Sequence, residues 1–176
     1  MLPRIKKNSK GLSIIIGYVL LVTIAVAMGA IVYVWLKNFV PTEELKCPDG
    51  VSILVSDYSC RGGLFNLTLK NTGKFSIGGY FIRVANDSSQ ELATMDISQN
   101  LSIGGVNTTR AVVFVSGKDN SMPPGDTRLA VFNLAGLGTI YKVEITPVRF
   151  QEEKNRINFV SCADAMVRQD LTGCIV

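Results

Sequence analysis

The chain is 176 residues long with a formal net charge of +4, and the 25 consecutive positions 12–36 carry no charge at all. The positive excess is local: Arg4, Lys6, Lys7 and Lys10 precede that run, and the remainder balances at 14 basic against 14 acidic side chains. A nucleic-acid-binding reading, which needs a basic face, thus loses its compositional support, and the absence of histidine excludes Ser-His and Cys-His nucleophile pairs and every histidine-containing metal site.

As an α-helix the uncharged run spans about 37 Å, longer than the roughly 30 Å hydrocarbon core of a bilayer. Four basic residues precede it, whereas Lys37 and Lys46 are offset by Glu43 and Glu44 on the other side. The positive-inside rule therefore places the N-terminus in the cytoplasm and the C-terminal part outside. Pro41 ends or bends the helix, because proline disfavours helical geometry in the residue before it. A cleaved secretory signal peptide accounts for the basic start and for the small residues Ala25, Ala27 and Gly29, but the apolar sequence continues through Ile31, Val32, Tyr33, Val34, Trp35 and Leu36, past any such cleavage site. An uncleaved single-pass anchor fits as well, with Tyr33 and Trp35 in the outer interfacial belt.

The junction Lys10-Gly11-Leu12-Ser13-Ile14-Ile15-Ile16-Gly17 supports a third reading. It resembles the class III signal peptide of archaeal type IV pilins, in which a prepilin peptidase cuts after a basic residue plus glycine and leaves the hydrophobic helix on the mature protein. The resemblance implies processing at Lys10, Gly11 and Leu12, with the cut between Gly11 and Leu12. Many archaeal pilins continue Ser-Pro-Val-Ile-Gly; here isoleucine replaces the proline and valine, and the spacing is kept. Bacterial pilins usually carry glutamate at the fifth mature position, which is Ile16 here, and archaellins begin differently after their cut. The implied partners are a membrane before assembly, the prepilin peptidase, and copies of the same chain packed through helix 12–36. A helix this apolar is stable in lipid and, once buried against copies of itself, stable in water. Ala25 and Gly29 form a small-xxx-small pair that lets helices approach closely. Removal of residues 1–11 also removes four positive charges that hold the N-terminus at the cytoplasmic face.

Past Pro41 short alternating segments separated by turn residues replace the apolar run, as in an all-β fold. The strands are expected at 51–58, 64–70, 77–85, 92–97, 110–115, 128–134, 141–150 and 157–162, and about eight strands indicate a sandwich. The chain is thus expected to be α+β: leader 1–11, hydrophobic helix 12–40, neck 41–50 and β-sandwich head 51–176. Asn71-Thr72-Gly73 and Pro123-Pro124-Gly125-Asp126 read as turns. Tyr58, Phe65, Phe81, Phe114, Phe132 and Phe159 are expected to face the sandwich interior.

Cys47, Cys60, Cys162 and Cys174 all lie in the outer part, and an even number there implies two disulfides. Three connectivities are possible. The two cysteine-bracketed segments, 13 residues from Cys47 to Cys60 and 12 from Cys162 to Cys174, are expected to lie side by side and antiparallel, joining Cys60 to Cys162 and Cys47 to Cys174. The rival pairs Cys47 with Cys60 and Cys162 with Cys174. Asn66, Asn86, Asn100 and Asn107 each open an Asn-x-Ser/Thr sequon and are glycosylation candidates. Asp119, Asn120, Ser121 and Asp126 match no calcium-loop signature, and Glu152-Glu153-Lys154-Asn155-Arg156 reads as a charged hairpin tip. No catalytic constellation, metal site or cofactor site is expected. The functional expectation is a structural pilus subunit, inserted in the membrane as a precursor, then part of a cell-surface adhesion filament. The alternatives are an uncut, membrane-anchored binding module and an archaellin-like motility subunit.

Overall fold

A computed structural model describes residues 9–39, 46–153 and 155–176, with helix side chains from Ile15 onward. The chain forms two compact units, Met1–Glu44 and Leu45–Val176. The first half of the expected neck, 41–45, lies outside the described residues.

The described part of the first unit is one helix, α1, Ser9–Phe39. It has neither proline nor, from residue 12 to 36, any charge, and a continuous helix satisfies every interior backbone group without water. Its span Ile15–Phe39 has a mean hydropathy of 2.6, and none of it is buried within the chain. Trp35 packs on Phe39 one turn later, ring centroids 4.5 Å apart.

The second unit holds two antiparallel sheets. The strands are β1 Ile53–Arg61, β2 Leu64–Asn71, β3 Gly79–Ala85, β4 Met95–Asp96, β5 Leu101–Ile103, β6 Val106–Asn107, β7 Val112–Val113, β8 Thr127–Asn133, β9 Lys142–Glu153, β10 Arg156–Ser161 and β11 Val167–Asp170. One sheet has the order β1-β2-β8-β5, and the other β10-β9-β3-β7-β6, with β11 also on β9 and β4 also on β3. The inner faces interlock as a sandwich core: Ile53, Phe65, Leu67, Leu69, Ala130 and Phe132 from the first sheet meet Tyr80, Ile82, Val84, Val112, Val143 and Ile145 from the second, all buried. The α+β organisation read from the sequence is the one found. The expected strands at 92–97 and 110–115 shrink to β4 and β7, two residues each, and β5, β6 and β11 have too few residues to show a period.

Two turns fix how the sheets meet. Asn71, fully buried, accepts from the Gly73 amide at 3.0 Å and donates to the carbonyls of Phe75 and Met122, each at 2.9 Å. A Cβ on Gly73 would sit 2.5 Å from the Ser52 nitrogen and 2.6 Å from the Gly50 oxygen, so only glycine allows this approach. In the turn 123–126 the Asp126 amide bonds to the Pro123 carbonyl and Gly125 has φ +84°, the arrangement of a type II turn that wants proline before and glycine at the left-handed position.

The disulfides join Cys47 to Cys162 and Cys60 to Cys174, which corrects the antiparallel pairing expected from loop lengths. The sequence separations of the two bridges, 115 and 114, are nearly constant, as parallel segments require. The Tyr58 hydroxyl adds a third link at separation 114, accepting from the Thr172 amide at 3.1 Å. The reason is topological: β1 is committed to an antiparallel partner in β2 and β11 to one in β9. The two cysteine segments are not ladder partners but adjoin across the two sheets.

Two of the expected core aromatics also lie elsewhere. Phe65 and Phe132 are fully buried, Phe114 nearly so, and half-buried Tyr58 packs against the core, but Phe81 is half-buried on the outer face and Phe159 is exposed. On β3 the inward residues are Tyr80, Ile82 and Val84, so Phe81 shares the outer face with Arg83; the shift of one position reverses every side chain.

Candidate functional surfaces

The first surface is α1 itself. Every side chain from Ile15 to Phe39 is exposed, including Ala25 and Gly29, and a Cβ built on Gly29 meets nothing within 4 Å. Residues four apart lie on one helical face, so the small-residue pair sits open on an unpartnered apolar rod. Lys10, Gly11 and Leu12 belong to the first turns of α1, but their side chains lie outside the described residues.

The second surface is the outer face of the β10-β9-β3-β7-β6 sheet, which sequence reading missed because it assigned its aromatics to the core. Register places the outward residues in rows across the strands. At one end Glu144 lies between Arg83 and Arg168. Glu144 is only 7 % exposed, and its Oε1 lies 2.8 Å from the Arg168 Nε as an ion pair whose geometry is not that of a hydrogen bond. That ion pair is how a carboxylate tolerates burial here. Next come Phe81 beside Thr146, then Gly79, Val148 and Ser161 with Val113, then Phe150 beside Phe159, and finally Glu152 beside Ile157. The ring of Phe159 meets Phe81 edge-on at 5.7 Å and Phe150 at 5.3 Å, so the rows join into one aromatic ridge. Two hollows flank it. One of about 290 Å³ is lined by Phe81, Arg83, Glu144, Thr146 and Met166 among others. The other, of about 360 Å³, lies between Val106, Val113, Phe150 and Phe159.

The sequons differ in accessibility. Asn66 sits mid-strand on β2, half-buried, its amide donating to Ser59 Oγ at 3.1 Å. The Asn100 amide is held by the Asn133 carbonyl at 3.0 Å. Asn86 and Asn107 are exposed, and no hydrogen bond holds either side chain among the described residues.

The acidic loop does not converge. Asp126 receives Arg128 Nε at 2.9 Å, while Asn120 donates to the Phe150 carbonyl and accepts from its amide, at 2.8 and 2.9 Å. No group of three or more Cys, Asp or Glu side chains is placed to hold a metal among the described residues. The charged tip is a hairpin: Glu153 pairs with Arg156 across a two-residue turn in which Asn155 has φ 65°. Lys154 lies outside the described residues. No protein-family model and no curated protein matches the chain.

Proposed function

We propose that the protein is the structural subunit of an archaeal type IV pilus-like filament: cut between Gly11 and Leu12, extracted from the membrane, and polymerised through α1, with the β-sandwich displayed outside the cell for adhesion. The observation that carries this reading is the 25-residue apolar span Ile15–Phe39, wholly unburied by its own chain, joined to a folded unit stapled by two disulfides. Such a helix needs either lipid or other helices around it, and the Lys10-Gly11-Leu12 junction provides the means of passing from one to the other. Disulfides suit an oxidising exterior. Glycan, in this reading, sits on Asn86 and Asn107, whose amides are free to be modified.

The test is the intact mass and N-terminal sequence of the protein from native cells, beside a Gly11→Asp variant. A mature chain beginning at Leu12, absent from the variant together with shearable surface filaments, is the expected result. A chain that keeps residues 1–11 and stays with the membrane overturns it in favour of the anchored binding module. The same spectra read glycan mass on peptides containing Asn86 and Asn107, and unmodified peptides there remove the glycoprotein part of the proposal.

A further inference from the structure

Pro147 breaks the ladder on one side of β9. Its carbonyl accepts from the Cys162 amide at 2.9 Å, but its nitrogen carries no hydrogen for an unbroken neighbour to use. On that side β10 ends its pairing at Ser161 opposite Val148, β11 begins at Val167 opposite Ile145, and the chain between them leaves the sheet as the short 3₁₀ turn Ala163–Ala165. The notch so formed is the hollow of about 290 Å³, at the lower end of small-ligand sites. Glu144 lines it, 7 % exposed, and its buried Oε1 accepts no hydrogen bond. The hydroxyls of Thr146 and Ser161 and the guanidinium of exposed Arg83 also line it, and none of these three side chains makes a hydrogen bond or an ion pair among the described residues. Phe81 and Met166 supply apolar walls. We infer that this notch binds one pyranose ring of a neutral glycan.

The class of ligand follows from charge and from what the polar groups lack. Across β4, β3, β9 and β11 the row reads Asp96, Arg83, Glu144 and Arg168, alternating in sign and summing to zero. A cation entering beside Glu144 meets Arg83 and the Arg168 guanidinium, whose Nε is already 2.8 Å from the carboxylate. An anion entering beside Arg83 meets Glu144 and Asp96. Neither gains net attraction from such a row. A wholly apolar guest leaves the buried carboxylate without a donor and its desolvation uncompensated. A neutral ring bearing several hydroxyls removes that cost: it donates to Glu144, accepts from Arg83, and exchanges bonds with the Thr146 and Ser161 hydroxyls, each of which both donates and accepts. The C–H face of the same ring rests on Phe81, whose π-face is electron-rich. For one small ring in a site open to solvent the Kd is expected to be about 1 mM.

Binding at this notch needs neither cutting nor polymerisation, so its failure leaves the filament reading standing. The full-length chain, isotope-labelled at its methionine methyls, is held in micelles of a polyoxyethylene detergent, which has no sugar headgroup, and followed by nuclear magnetic resonance. Methyl α- and β-pyranosides of glucose, galactose, mannose and N-acetylglucosamine are titrated to about 100 mM, well above the expected Kd. Met166 is the reporter, and Met28 on the helix and the fully buried Met122 are the internal references. A saturable shift of Met166 alone is expected for at least one of these sugars. Phe81→Ala is expected to weaken its Kd at least tenfold and Thr146→Val about fivefold, the net effect of one neutral hydrogen bond, while Val106→Ala in the other hollow leaves it unchanged. Far-ultraviolet circular dichroism reports whether the sheets are intact; should Phe81→Ala misfold, the isosteric Thr146→Val carries the test. No shift of Met166 with any of these sugars overturns the inference, as does a Kd indifferent to the Phe81 and Thr146 substitutions in folded protein. Binding of methyl glucuronide or glucosamine, which add a negative or a positive charge to the ring, without binding of any neutral ring also overturns it.

Discussion

Asn71 shows how one side chain can set a domain's interior. Its Oδ1 and both hydrogens of Nδ2 are used, by Gly73, Phe75 and Met122, with no solvent contact. Removing a buried, fully paired amide leaves its partners short of a bond, an effect on the order of 1 to 3 kcal/mol. Asn71→Ala is therefore expected to lower the unfolding free energy of the disulfide-intact protein by about 2 kcal/mol, read as a lower denaturant midpoint. Asn71→Asp is expected to be worse, because it turns a carboxylate toward two carbonyl oxygens; equal midpoints for the two variants would contradict this. The turn itself was legible in the triplet Asn71-Thr72-Gly73. That its asparagine also ties β2 to the 122 segment was not, because the partner is 51 residues away.

The parallel bridging of the two cysteine segments makes the disulfides interdependent. Either bridge alone closes a loop of about 115 residues, worth about 4.7 kcal/mol in the chain-entropy treatment. Once Cys47 and Cys162 are joined, the second bridge closes only the ring made by the short segments, about 27 residues, worth about 3.5 kcal/mol. Replacing Cys60 and Cys174 together by serine is thus expected to cost about 3.5 kcal/mol, and replacing all four roughly 8 kcal/mol. Denaturant unfolding of the two variants checks the step, and non-reducing peptide maps check the pairing. Equal losses at each step would mean that the segments do not share a ring. Loop lengths were the only guide in the sequence, and they favour long-range pairing without fixing its direction. Direction came from the partner strands β2 and β9. The same limit applies to β3, where Tyr80, Phe81 and Ile82 are all apolar, so alternation alone does not say which residue faces inward.

For the whole molecule, the two units have different solvents in view. The second unit buries an apolar core between two sheets, and the helix buries none of its span Ile15–Phe39 within the chain. In the proposed filament Gly29 is a point of close approach, so Gly29→Leu is expected to leave cutting at Gly11 and membrane insertion unchanged while reducing sheared filament yield by tenfold or more. Normal yield from that variant would place the helix contact on another face. The sequence by itself determined the division into an apolar helix and an all-β unit, the oxidised cysteines, the main turns and the long strands, because each is written in a local period, a charge-free length or a single residue with special backbone freedom. Only the tertiary structure decided the disulfide partners, the short strands β5, β6 and β11, and the aromatic outer face of the second sheet. These depend on which strands adjoin and in what register, and register is set by contacts between residues far apart in the chain, which no local pattern records.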